Sequence, residues 1–163
     1  MKTAWVGRKL FGAAALVAFS LATACAGPPM LDAPHGSVAV APEVALGLRH
    51  RVEGFYLRLA HRRFDTLETY NDYIMRDHFA SLDLFFDYYA DLAEDLAAAR
   101  FDRSRPIEVE VLEFLFEDAK TAQVLVRFTG ADSRPLRPGS VELVRTDRWE
   151  LAEGTWWLRP GKV

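Results

Sequence analysis

This chain has a single cysteine and no excess of positive charge. Cys25 is the only cysteine in 163 residues, so no intramolecular disulfide can form, and a single thiol in an exported chain needs its own explanation. Lys and Arg number 20 against 23 Asp and Glu, which leaves the chain acidic and without the basic footprint that nucleic-acid binding requires. No P-loop, dinucleotide glycine pattern or Ser-His-Asp constellation occurs, there is no internal repeat, and no cofactor is expected. A membrane-spanning helix needs about 18 or more uninterrupted apolar residues, whereas the stretch from Leu10 to Ala24 is interrupted by Ser20 and Thr23. Against these absences, half the residues are hydrophobic and 12% aromatic. That composition suits one globular domain with a true core.

The N-terminus carries Lys2, Arg8 and Lys9 before its apolar stretch, the order of an export signal, whose apolar region needs only about 7 to 15 residues. Residues 1–24 are therefore predicted to be a signal peptide. Ala22-Thr23-Ala24 fits an ordinary A-x-A cleavage site, which would give a plain secreted protein. Leu21-Ala22-Thr23-Ala24-Cys25 also resembles the lipobox of bacterial lipoproteins, with Leu21 one position further from the cysteine than in the commonest pattern. That resemblance implies cleavage between Ala24 and Cys25, lipidation of Cys25, and a protein anchored to a membrane by two or more acyl chains, since one chain holds only marginally. By the same resemblance, Ala26, standing where Asp would mark inner-membrane retention, implies the outer membrane, facing the periplasm, for a Gram-negative source. Loss of Lys2, Arg8 and Lys9 with the signal lowers the formal net charge from −3 to about −6, moving the chain further from nucleic acid. Residues 25–41, with Pro28, Pro29, Pro34 and Gly36, read as a lipidated tether. Residues 42–163 form the domain.

Pro42 and Glu43 open a first helix whose apolar residues Val44, Leu48, Val52, Phe55 and Leu59 fall on one face. Its other side is basic: Arg49, Arg51, Arg58, Arg62 and Arg63, with His50 and His61, form either a patch for anionic lipid or an acidic partner, or a solvated face. Asp65 as N-cap with Glu68 predicts a short second helix to about Asn71. Ser81 caps a third, with Leu82, Phe85, Tyr89, Leu92 and Leu96 as its buried stripe. Asp83, Asp87, Asp91 and Asp95 make a carboxylate ridge along it. Such a row lacks the convergence a divalent cation needs, so the ridge is expected to be solvated and partly neutralised by the arginines of the first helix, with no metal.

After Pro106 the period becomes two. Ile107, Val109 and Val111 share one phase and Leu112, Phe114 and Phe116 the other, a slip that predicts a β-bulge and hence a strongly curved sheet. Val124, Val126 and Phe128 face inward on the returning strand. A third strand from Val141 to Leu151 and a tight turn at Glu153-Gly154 lead to Thr155–Leu158. Trp149, Trp156 and Trp157 are expected to stabilise that hairpin.

The order of elements, with Phe55-Tyr56, the Arg63-Phe64-Asp65 corner, Asp147-Arg148-Trp149-Glu150 and Gly154-Thr155-Trp156-Trp157, resembles the nuclear transport factor 2-like (SnoaL-like) superfamily. The resemblance implies an α+β domain in which N-terminal helices pack in a strongly curved antiparallel sheet as a cone, often dimerising through the sheet. It also implies a range of roles, from isomerases and dehydratases to non-catalytic domains of envelope machinery, among which fold does not choose. Catalytic members use an interior Asp or His–Asp base with a Tyr donor. Tyr56, Tyr70, Asp72, Tyr73, His78 and Asp147 are the candidates here, and strand parity points Arg145 and Asp147 inward beside Trp149. The candidate pocket is thus Tyr56, Tyr73, His78, Arg145, Asp147 and Trp149. The reading is a lipid-anchored envelope protein whose domain binds a protein partner or a small apolar ligand, the alternative being a periplasmic proton-transfer enzyme.

Overall fold

A computed structural model describes residues 38, 40–136 and 138–161. Ala24, Cys25 and most of the tether lie outside the described residues. Helix α1 spans Pro42–Leu59, with the proline in its first turn, where a missing N–H costs nothing, and Glu43 favouring the positive end of the dipole. It buries Leu48, Val52, Phe55, Tyr56 and Leu59, each apolar side chain contributing about 1.5–3 kcal/mol on leaving water.

Helix α2 is Leu67–Tyr70, capped by the Thr66 hydroxyl, which accepts from the Thr69 amide. The cap is Thr66 and not Asp65, because Asp65 is taken up by Arg63 and Glu68 by Arg62. A further turn that the sequence reading left out, α3, covers Tyr73–Arg76, with the Asp72 carboxylate accepting from the Ile74 and Met75 amides. Helix α4 spans Leu82–Ala98 behind Ser81, whose hydroxyl accepts from the Leu84 amide. Its buried stripe is Phe85, Tyr88, Leu92 and Leu96. Leu82 is 47% exposed, and Tyr89 is half-buried with its hydroxyl donating to the Thr66 carbonyl.

The sheet is an antiparallel meander in the order β1-β2-β3-β4, with β1 Glu108–Phe116, β2 Thr121–Ala131, β3 Ser140–Ala152 and β4 Thr155–Arg159. The predicted bulge is present: Val111 faces Val126 and Glu113 faces Leu125, leaving Leu112 without a partner. It keeps Val109, Val111, Phe114 and Phe116 on the helix side and turns Glu108, Glu110 and Glu113 to the other. The sheet is nevertheless not strongly curled. The bulge sits on an edge strand, while β2 and β3 pair without a shift from Thr121–Glu150 to Ala131–Ser140, and a single edge bulge bends little more than its own strand. Glu153 and Gly154 both have positive φ, 53° and 77°, as a two-residue type I′ hairpin turn requires.

The basic side of α1 is engaged within the domain. Arg51 pairs with Asp77, Arg58 and Arg62 with Asp72, and Arg49 with Glu53. Among the described residues no ion pair joins these arginines to Asp83, Asp87 or Asp91, contrary to the expected partial neutralisation of the ridge, and Asp95 pairs with Arg145 from the sheet. The tryptophans also serve differently. Trp149 packs on Phe55 and Trp156 on Phe116, with ring centroids 6.1 and 6.2 Å apart, while Trp157 lies under the Arg51 guanidinium. They tie the sheet to α1 and to the far strand more than they pair across one hairpin. The outer face of the sheet is crossed by Arg–Glu pairs, among them Arg127–Glu110 and Arg159–Glu150.

Candidate functional site

The alternation of β3 turns Arg145, Asp147 and Trp149 inward on the same side, and all three are buried. Above them, α1 presents Tyr56 and α4 presents Tyr88. Asp147, at 0% exposure, receives three donors. Tyr56 and Tyr88 both donate their hydroxyls to Oδ2, at 2.5 and 2.8 Å, and Arg145 donates Nε–H to Oδ1 at 2.8 Å. Arg145 also donates from Nη1 to Asp95 of α4 at 3.1 Å and lies over the Tyr88 ring. The cluster therefore joins α1, α4 and β3 through one carboxylate.

Its electrostatics follow from burial. Loss of water, then the nearby Asp147 charge, pushes both phenols well above the usual tyrosine range, so both hydroxyls keep their protons and donate. Burial works against the charge on Arg145, but Tyr88 and Asp147 outweigh it and raise the guanidinium above its ordinary value. A charge held this deep is tolerated only when its partners are in place. Two buried donors, Arg145 Nη2 and Trp149 Nε1, find no partner among the described residues, which offsets part of what the cluster contributes.

General acid–base chemistry needs the acting group within hydrogen-bond reach of a substrate. Asp147 is walled by the phenols that saturate it and by a ring cluster in which Phe55 touches Tyr56, Tyr88 and Trp149. Among the described residues, three concavities are lined by other side chains. One of about 620 Å³ lies between α1 and β1, and two smaller ones, of about 320 and 180 Å³, surround His61 and Arg62. None of the three has Tyr56, Tyr88, Arg145 or Asp147 in its wall.

Of the six predicted pocket residues, Tyr56, Arg145 and Asp147 come together and Trp149 adjoins them through Phe55. His78 is buried against Phe55 and, edge to face, against Trp149, with Nδ1 3.0 Å from the Ile74 carbonyl, and it has no hydrogen bond to Asp147 among the described residues. Burial, then Arg51, pushes its imidazole below the ordinary value. Tyr73 does not belong to the site: at 76% exposure it stands at the surface, in the first turn of α3. Tyr70 stacks on Phe86. Asp72 is a helix cap, its charge opposed by burial but held below the usual carboxylate range by Arg58 and the Met75 amide.

Tyr88 and Asp95 were missed. The signal for Tyr88 was available, since Phe85, Tyr88, Leu92 and Leu96 have helical spacing as good as the stripe drawn through Tyr89. Spacing alone places Asp95 with the other aspartates on the solvated ridge. Among the described residues no group of three or more His, Cys, Asp or Glu side chains is placed to hold a metal ion, and no helix is long and apolar enough to cross a membrane. No protein-family model matches this chain, and no curated protein or solved structure matches it.

Proposed function

We propose that this chain is a lipid-anchored protein of the bacterial cell envelope that presents a non-catalytic NTF2-like domain to a protein partner or apolar ligand. The observation that carries the non-catalytic part is the saturation of Asp147: three protein donors occupy it and aromatic rings close over it. A base in that state ties elements together instead of taking a proton from a substrate. An exposed apolar surface lies elsewhere, in the groove between α1 and β1.

The lipid anchor rests on the lone Cys25 behind Ala24 and on the signal-like residues before it. The address is the outer membrane on its periplasmic side. The NTF2-like assignment is supported by helices first and an antiparallel meander after them, with the bulge in the first strand. A homodimer through the sheet would have to cover the Arg–Glu pairs of the outer face, so binding of a different partner is the simpler reading.

Radiolabelled palmitate tests the anchor: label is expected in the wild-type chain and lost in Cys25→Ala, with a larger precursor accumulating under globomycin. Unlabelled wild-type protein would return the chain to plain secretion. The alternative, a small periplasmic enzyme of isomerase or dehydratase type, requires a passage to Asp147 Oδ2 that a small-molecule probe would find.

A further inference from the structure

The geometry points to the flank between α1 and β1 as the seat of an extended segment of a partner protein, one in which apolar residues alternate with Lys or Arg, added to the sheet as a fifth strand beside β1. This inference rests on the reading of the domain as partner-binding and names the partner's chemistry.

Strand β1 ends the sheet on one side, and among the described residues no backbone group pairs with its outer edge. An unpaired edge is a template for another strand. Helix α1 runs beside it, and the space between them is a groove of about 620 Å³. Leu46 on the helix and Phe114 on the strand, both in its wall, are 54% and 36% exposed. Side chains of an added strand that point to the helix side would enter this groove, since alternate residues of a strand share a face.

The other face of the edge sets the charge. Glu108, Glu110 and Glu113 stand there, outward of the groove. Glu110 is engaged by Arg127, whereas Glu108 and Glu113 have no ion-pair partner among the described residues. An incoming strand places its outward side chains directly across from these carboxylates, where opposite charge is favourable and like charge is not. A second copy of β1 would set glutamate against glutamate, so self-pairing is disfavoured and a basic strand is favoured. The bulge at Leu112 supports the arrangement, because without it Phe114 and Phe116 would turn away from the groove and Glu113 into it.

Fluorescence anisotropy on the full chain in mild detergent provides the test, using labelled peptides of about ten residues that alternate Val with Lys, Val with Ser, or Val with Glu. The Val–Lys peptide is expected to bind at least about tenfold more tightly than the Val–Ser peptide, and the Val–Glu peptide most weakly. Leu46→Asp, at an exposed position, should weaken the Val–Lys peptide by about tenfold or more although it adds negative charge, which separates groove binding from general attraction to an acidic protein. The double variant Glu108→Lys/Glu113→Lys should reverse the preference toward Val–Glu. Equal binding of acidic and basic peptides, indifference to Leu46→Asp, or no binding up to about 1 mM would overturn the inference. So would a dimer in sedimentation that Leu46→Asp abolishes, which would give the face to a second copy. A native partner retained equally by wild type and Leu46→Asp would remove the groove while leaving the partner-binding reading intact.

Discussion

Tyr88, on helix α4, donates its hydroxyl to Oδ2 of Asp147, on strand β3, across 2.8 Å, and the Asp147 carboxylate is fully buried. The same oxygen accepts from Tyr56 and the other from Arg145. Removing the acceptor leaves two phenols and a guanidinium buried without it, so Asp147→Ala is expected to cost about 3–5 kcal/mol. Tyr88→Phe removes one donor from a group that keeps two, and should cost only about 1.5–3 kcal/mol. Urea denaturation of the three proteins checks the ordering. A stable Asp147→Ala protein would mean that the cluster is not a tie.

His78 predicts a pH dependence. Its imidazole is held below the ordinary value of 6.5, by burial first and then by Arg51, so the unfolded chain binds the proton more readily than the folded one. The stability His78 contributes is therefore fully present above about pH 6.5 and is lost as pH falls through its lower, folded value. Melting temperature followed from about pH 8 to pH 5 should decline in wild type, and His78→Gln should flatten that part of the profile.

Gly130 predicts a close approach. A Cβ there would collide with the Phe101 ring and with the Arg105 carbonyl, a backbone atom that cannot swing aside. Gly130→Ala should destabilise by about 1–3 kcal/mol, read by urea denaturation, although glycine itself weakens a strand interior. Phe101→Leu in the same background should recover part of the loss.

What the sequence made legible was whatever depends on local pattern. The start of α1 at Pro42, the Ser81 cap, the bulge at Leu112 and the Glu153-Gly154 turn all follow from residues within a few positions of one another. Parity alone brought Arg145 and Asp147 inward. The errors have a common physical source, the competition of tertiary partners. Asp65 has the right chemistry for a cap, but Arg63 binds it and Thr66 takes the position. Tyr88 and Tyr89 stand about 100° apart on the helix, each continuing a stripe through Phe85, Leu92 and Leu96, and the choice is made by Asp147, which lies 59 residues away in sequence. Asp95 belongs to the solvated ridge by spacing and to the buried cluster by its contact with Arg145. The expected curl of the sheet failed because a bulge is local while curvature is a property of all the strands.

The measurement closest to the central claim is membrane fractionation of the full chain beside Cys25→Ala. The account predicts that wild type sediments with the outer membrane and resists high salt, which removes proteins held by charge alone, while Cys25→Ala is found in the soluble periplasmic fraction with its domain folded. A Cys25→Ala protein that still fractionates with membranes would contradict it.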